Sequence, residues 1–242
     1  MWLKKKVAVI LPTYREKNSI RRVINEFGVN NFVDEIIVVD NNAEPGTIQE
    51  VKKTRAKIVK EPKQGYGYAI RRGIASTNAD LLIIAEPDGS FDGRDVLKLL
   101  SYSEDFDAVF GSRTHLPLIE KGSDMTFLKR YGDVLLGKLV LLLFLCYPLT
   151  DLGCTLRLTT RKGWNMVKKE AKAAGGIFAT EWVLLAAKNG VRFIEIPINY
   201  KTRIGKSSLS DTQIKRILWG VKKFYYIIKV WIYKLMNKKL YA

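Results

Sequence analysis

The chain has 242 residues, 47% of them apolar, and carries 41 Lys and Arg against 24 Asp and Glu, for a formal net charge of +17. That length suits one large domain or two small ones with a proper core, and the charge excess calls for an anionic partner: nucleic acid, an acidic membrane surface or a phosphorylated ligand. Cys146 and Cys154 lack metal-ligand spacing and read as buried thiols, and the single His115 cannot make a histidine metal site.

The N-terminal segment MWLKKKVAVILPTY starts basic, but its apolar run Val7–Leu11 stops at Pro12, too short for a secretory leader. It reads as a first buried strand. An amphipathic helix follows around Ile20–Phe27. Glu35–Asp40 (EIIVVD) is a second strand, Thr47–Arg55 a polar helix, and Lys57–Val59 a short third strand before a helix over Tyr68–Ala75. Leu81–Ala85 (LLIIA) is a fourth strand, Asp92–Tyr102 a helix, and Asp107–Ser112 a fifth strand. Strands alternating with helices at this rhythm predict βαβ units and a mostly parallel α/β sheet, with ligands beyond the carboxyl ends of the strands.

Those ends carry chemistry. They read PTYRE (Pro12–Glu16), Asp40 with two asparagines, EPKQGYGYA (Glu61–Ala69), EPDGSF (Glu86–Phe91) and Ser112–Arg113. An ionised acid at the end of a buried strand is costly unless it reaches water or meets a cation, so Glu86 and Asp88 mark a site. The second half changes character. Val134–Leu149 is strongly apolar, interrupted by Lys138, and Gly190–Tyr200 alternates as a strand ending near Pro197. From Ile214 onward the chain holds eight Lys and Arg, no acid and many aromatics.

In order and spacing, PTYRE, VVDNN, QGYGYAIRRG, EPDGSF, GSR, DLGCTLR, EIPINY and RIGKSS resemble the family-2 glycosyltransferases with the GT-A fold, above all the dolichol-phosphate mannose synthases and polyprenyl-phosphate sugar transferases. The resemblance runs from about Val7 to Leu209. It implies a GT-A catalytic domain over residues 1–210 and a basic amphipathic helical tail over 211–242. It also implies a metal-dependent, inverting transfer of a hexose from a GDP- or UDP-sugar to a polyprenyl or dolichyl phosphate, supported by Mg²⁺ or Mn²⁺. Glu86 and Asp88 match the family's DxD motif, with Glu as a departure, and Ser90 stands where relatives carry another polar ligand. Pro12, Tyr14, Glu16 and Asp40 match nucleotide-binding residues; Asp40 also suits a plain strand-end turn. Gly65 and Gly67 would let backbone approach the nucleotide. Arg113 matches a phosphate-facing arginine. Arg203, Lys206 and Ser207 match the family's R-x-x-G-x-S-K loop, although Ser208 occupies its Lys position. The resemblance implies Asp88, Arg113 and Arg203 as catalytic residues and Arg130 as a further phosphate contact, with the lipid phosphate expected to attack the anomeric carbon directly. The family's usual base is an Asp; here Trp182 follows Glu181 where that Asp would stand, and an ionised phosphate acceptor needs none.

On a helix Lys215, Lys222 and Lys229, with Arg216 and Lys223 beside them, form one stripe. Four lysines within Leu218–Leu235, at about 3 kcal/mol each near a bilayer centre, argue against spanning. The tail is therefore expected to lie in the interface of an anionic membrane, peripheral on its cytoplasmic face, with firm anchoring left to a partner protein. Three other readings compete. One is a family-2 enzyme acting on a glycan hydroxyl. A second is a nucleic-acid binder, which gives the strand-end acids no role, so nucleic acid is not the expected partner. The third is a degenerate scaffold that binds nucleotide without turnover.

Overall fold

Alternate side chains of a strand point to opposite faces, and in β1 (Val7–Thr13) both sets are buried and, through Leu11, apolar. A strand of that kind needs a cover on each face, and the chain supplies both. The computed structural model describes residues 1–205 and 212–236. After β1 come α1 (Ile20–Gly28), β2 (Glu35–Asp40), α2 (Thr47–Val51), β3 (Lys57–Lys60), α3 (Tyr66–Ala75), β4 (Leu81–Ile84), α4 (Asp95–Ser101) and β5 (Ala108–Ser112). A 3₁₀ turn (Leu116–Leu118) leads to α5 (Phe127–Phe144), β6 (Arg157–Thr160), α6 (Arg161–Val167), α7 (Ile177–Lys188), β7 (Phe193–Pro197) and α8 (Gln213–Leu235).

The strands form one seven-stranded sheet in the order β3-β2-β1-β4-β6-β5-β7. All neighbours are parallel except the two pairs that β6 makes. On one face Val9, Leu11, Val23, Phe27 and Leu99 pack together. On the other Ile10, Ile37, Ile70, Phe178 and Trp182 do, and α5, α7 and α8 complete that layer through Val140, Phe144 and Ile227. The strand order reverses between β1 and β4, the crevice where open α/β sheets bind ligands.

The expected βαβ rhythm of the first half is present, with shifted bounds. α3 begins at Tyr66 and α4 only at Asp95. The last long helix pair differs more. α5 starts seven residues before the apolar run, capped by the Thr126 hydroxyl, and ends at Leu145 in the left-handed region (φ 50°). β6 and α6 have no counterpart in the sequence reading. β6 is a four-residue strand opening on an arginine, and the Arg157 side chain is 2% exposed. Two partners make that burial tolerable: Nη1 donates to Ala179 O (2.9 Å), and the guanidinium lies over the rings of Phe110 and Trp182.

Gly67 shows why a glycine opens α3. Its N–H donates to Ala174 O (2.7 Å), and a Cβ there would stand 2.0 Å from Ala173 O. At Gly65 (φ 149°) a Cβ would stand 2.5 Å from Ala174 O. The backbone these glycines admit is the 173–174 segment of the chain itself. Glu181 is spent in the same region: Oε2 accepts from Ala173 N (2.9 Å) and Oε1 from the Tyr226 hydroxyl of α8 (2.6 Å).

Candidate active site

The carboxyl ends of β1, β2 and β4 lie side by side, since Thr13 pairs with Asp40 and Ile10 with Ile84. Past β1, the chain folds back on Glu16, whose Oε2 accepts from the N–H groups of Tyr14 (2.5 Å) and Arg15 (2.8 Å) and from Thr13 Oγ1 (3.0 Å). Burial raises the pKa of Glu16 against those donors, and Asp88 adds to the rise. Past β4, Glu86 is half-buried and its carboxyl is pushed up to about 7, by burial first and by the neighbouring Asp88 second. Asp88 is 2% exposed. Its Oδ1 accepts from Ser90 N (2.9 Å) and Ser90 Oγ (2.6 Å), and its Oδ2 faces Arg203 Nη2 at 3.1 Å. Ser90 therefore orients Asp88.

Arg203 arrives on a segment stitched to the acidic turn: Lys201 N donates to Ser90 O and Ile204 N to Asp88 O, both at 2.8 Å. Burial opposes the charge of Arg203, but Asp88 and Glu86 raise its pKa. Its Nε is buried with no partner among the described residues.

Pro12, Tyr14, Glu16, Glu86, Arg113 and Arg203 all line one cavity of about 580 Å³. Asp88 and Ser90 are buried and do not line it, though Asp88 meets the lining residue Arg203; Asp40, Gly65 and Gly67 do not line it either. Asp40 makes the strand-end turn, with Oδ1 accepting from Ala43 N at 3.0 Å. Its neighbour Asn41 reaches the cavity instead and ties the turn after β2 to the loop between β3 and α3: Nδ2 donates to Glu61 O and Lys63 O, and Oδ1 accepts from Gly65 N (2.8 Å). Lys206 and Ser207 lie outside the described residues, as does Ser208. Glu181 does not line the cavity.

From the acids the cavity runs on between α5 and α8, past the apolar side chains of Leu128, Leu135, Leu136, Ile217 and Trp219. At the junction stand three cations, each with its own acid. Arg113 is held by Asp151 through Nε (2.7 Å) and Nη2 (2.8 Å), and stacks on Tyr200. Burial works against that pair, yet Arg113 holds the Asp151 carboxyl down at about 2. Lys129 pairs with Asp124 (3.2 Å) and Lys223 with Asp133 (2.6 Å). Lys129 takes the place expected of Arg130, which stacks on Tyr131 and does not line the cavity. Lys223 belongs to the basic stripe of the tail expected to lie at a membrane interface, but it is 5% exposed. Asn41, Lys129, Asp133, Asp151 and Lys223 are additions to the sequence reading. Asp133 left a signal, as the one acid of the apolar segment Phe127–Phe144.

Residues 8–122 match the family model described as glycosyl transferase family 2. Protein RfbJ of Shigella flexneri is 30% identical over 125 residues, 51% of this chain and 93% of that protein. The chain belongs to glycosyl transferase family 2. Similarity to this glycosyltransferase extends over 96% of its length and 99% of a Methanococcus voltae protein, the UDP-N-acetylglucosamine–dolichyl-phosphate N-acetylglucosaminyltransferase, at 24% identity. Its fold is the GT-A fold. Glucosyl-3-phosphoglycerate synthase from Mycobacterium tuberculosis, solved with Mn²⁺, UDP-glucose and phosphoglyceric acid, superimposes with a TM-score of 0.69 at 16% identity, covering 96% of this chain and 80% of that one.

The acid end of the glycosyltransferase cavity fits a hard divalent cation. Its donors are carboxylate oxygens, and the raised pKa of both Glu16 and Glu86 reflects burial first and repulsion from Asp88 as well, which a cation would relieve. Among the described residues no three His, Cys, Asp or Glu cluster closely enough to hold an ion alone. Diphosphate oxygens and water would have to complete its shell, as is usual for Mg²⁺.

Proposed function

We propose that this glycosyltransferase moves a hexose or related sugar from a nucleoside diphosphate sugar to a polyprenyl or dolichyl phosphate, with inversion, working at the cytoplasmic face of a membrane. One observation carries the reading: a single cavity joins the strand-end carboxylates to an apolar groove between α5 and α8, with cations where the two meet. A nucleotide sugar needs the first part, an isoprenoid chain the second, and a phosphate the junction. The Methanococcus voltae relative, named for a UDP-sugar donor and a dolichyl-phosphate acceptor, supports the same assignment.

In this reading Tyr14 and Asn41 flank the nucleoside, and Arg203 turns its unpartnered Nε to the diphosphate. Glu86 and Asp88 would hold Mg²⁺ or Mn²⁺, which when bound offsets the charge of the departing diphosphate. An oxygen of the acceptor phosphate attacks the anomeric carbon. The bond from that carbon to the diphosphate oxygen breaks, and its electron pair leaves with the nucleoside diphosphate. No proton has to be removed, since the acceptor oxygen is already ionised near pH 7, in keeping with Glu181 being engaged on both oxygens.

The test is transfer of label from a panel of UDP- and GDP-sugars to farnesyl phosphate, farnesol and a soluble oligosaccharide. Label in farnesyl phosphate alone is expected. Label in the oligosaccharide, with none in farnesyl phosphate, would replace the lipid phosphate by a glycan hydroxyl.

A further inference from the structure

Of the three cations at the junction, one is supplied by α8. Lys223 comes from α8, is almost fully buried, and lines the cavity. Its partner Asp133 meets it through Oδ1 only, and Asp133 Oδ2 is buried with no partner among the described residues. A buried ion pair is a poor stabiliser, because desolvation offsets most of the attraction, and a half-satisfied one is poorer still. Stability therefore does not account for the pair.

Its position does. A Cβ placed on Gly153 would stand 2.8 Å from Lys223 Nζ and 3.2 Å from Arg113 Nη2, with Asp151 Oδ1 a little farther at 3.6 Å. Two cations, one from α8 and one from the end of β5, thus converge on the same bare spot of cavity wall, and the missing side chain of Gly153 keeps it open. Each already has its own carboxylate, Asp133 and Asp151, which makes burying the cations tolerable and fixes where their donors sit. Lys129 with Asp124 stands nearby, and Arg113 lowers the Lys129 pKa further after burial has done so first.

We propose that the space in front of Gly153, where Lys223 and Arg113 converge, is the subsite for the acceptor's phosphomonoester. The proposal rests on the phosphate-acceptor reading given above and adds to it that α8 supplies a substrate-binding residue. Seating α8 against α5 and completing the acceptor site are then one event. The chemistry recognised is a phosphomonoester dianion, from a lipid or from a small soluble phosphate; the apolar groove beyond Gly153 favours the lipid.

The experiment measures acceptor KM and kcat with farnesyl phosphate and with 3-phosphoglycerate, alongside Mn²⁺-dependent nucleotide affinity as a check on the fold and the donor end. Two variants are used. Gly153→Ala puts a methyl between the two cations at a residue without positive φ, where the flexible Lys223 tip can yield. The double variant Asp133→Leu with Lys223→Met removes the ion pair without leaving a lone buried charge. The expected result is an acceptor KM raised at least tenfold in the double variant and several-fold in Gly153→Ala, with nucleotide affinity unchanged. Wild-type turnover with unaltered acceptor KM in both variants, or a fall in kcat alone, would overturn the subsite and leave the lipid-phosphate reading standing. Wild-type turnover with neither phosphate acceptor, while nucleotide still binds, would overturn both. Turnover with 3-phosphoglycerate but not farnesyl phosphate would keep the subsite and reassign the acceptor.

Discussion

Asp88 is gripped from two sides, by the Ser90 hydroxyl on Oδ1 and the Arg203 guanidinium on Oδ2. A carboxylate held so firmly is an oriented ligand, and its loss should be felt in the chemical step. Asp88→Ala is expected to lower kcat by about a thousandfold or more, roughly 4 kcal/mol, with folding retained by circular dichroism; wild-type activity would remove Asp88 from the reaction. Behind the other end of the site, Glu195 of β7 accepts from Thr150 N (2.7 Å), Thr150 Oγ1 (2.6 Å) and Asp151 N (2.8 Å), and so fixes the loop that holds Arg113. Burial above all pushes the Glu195 carboxyl up to about 7 from 4.5. The neutral acid is thus the form folding favours. Its contribution to stability is full below pH 4.5 and is lost as pH rises through 7. Denaturant midpoints across that window should fall less in Glu195→Gln than in the wild type, and parallel pH profiles would contradict this. The strand-end acids were legible in the sequence because an apolar run that ends in carboxylates is physically odd. Asn41 was not, since Asp40, Asn41 and Asn42 are equally polar and only the loop geometry selects which one turns inward.

At the scale of elements, the βαβ half was readable because each strand is a run of β-branched or aliphatic residues followed by a turn. β6 escaped because it is four residues long and begins with a charge that becomes tolerable only when Ala179 O and two aromatic rings surround it. Lys223 escaped for a related reason. In a stripe of five basic residues, nothing local says which one turns inward; docking on α5 beside Asp133 decides it. The contact between α3 and the 173–174 segment is equally non-local, and it makes a sharp expectation. A Cβ at Gly67 would overlap Ala173 O, so Gly67→Ala should cost about 1–3 kcal/mol in urea unfolding, with little change in nucleotide affinity for the folded fraction. Unchanged stability would mean that the segment does not seat there. α8 meanwhile leaves Leu218, Val221, Phe224 and Tyr225 exposed. Replacing Phe224 and Tyr225 by Ser should weaken partitioning to anionic vesicles by about tenfold without altering the thermal midpoint; equal partitioning would take this face off the membrane.

Across the whole molecule, charge and shape point the same way. No helix among the described residues is long and apolar enough to cross a membrane, while a net charge of +17 suits an anionic partner, which in the proposed reading is a membrane surface. In the proposed reading the catalytic acids stand at the carboxyl ends of the central strands, the phosphate-binding cations at the junction and the lipid chain between α5 and α8. That arrangement is tested most directly by photo-crosslinking. A short polyprenyl phosphate carrying a benzophenone near its distal end would be irradiated with the protein, and the labelled peptides read by mass spectrometry. The account expects label on α5 and α8, around Leu135 and Ile217, competed away by farnesyl phosphate but not by farnesol. Label scattered over the surface, or label on that groove that the alcohol displaces as well as the phosphate does, would contradict it.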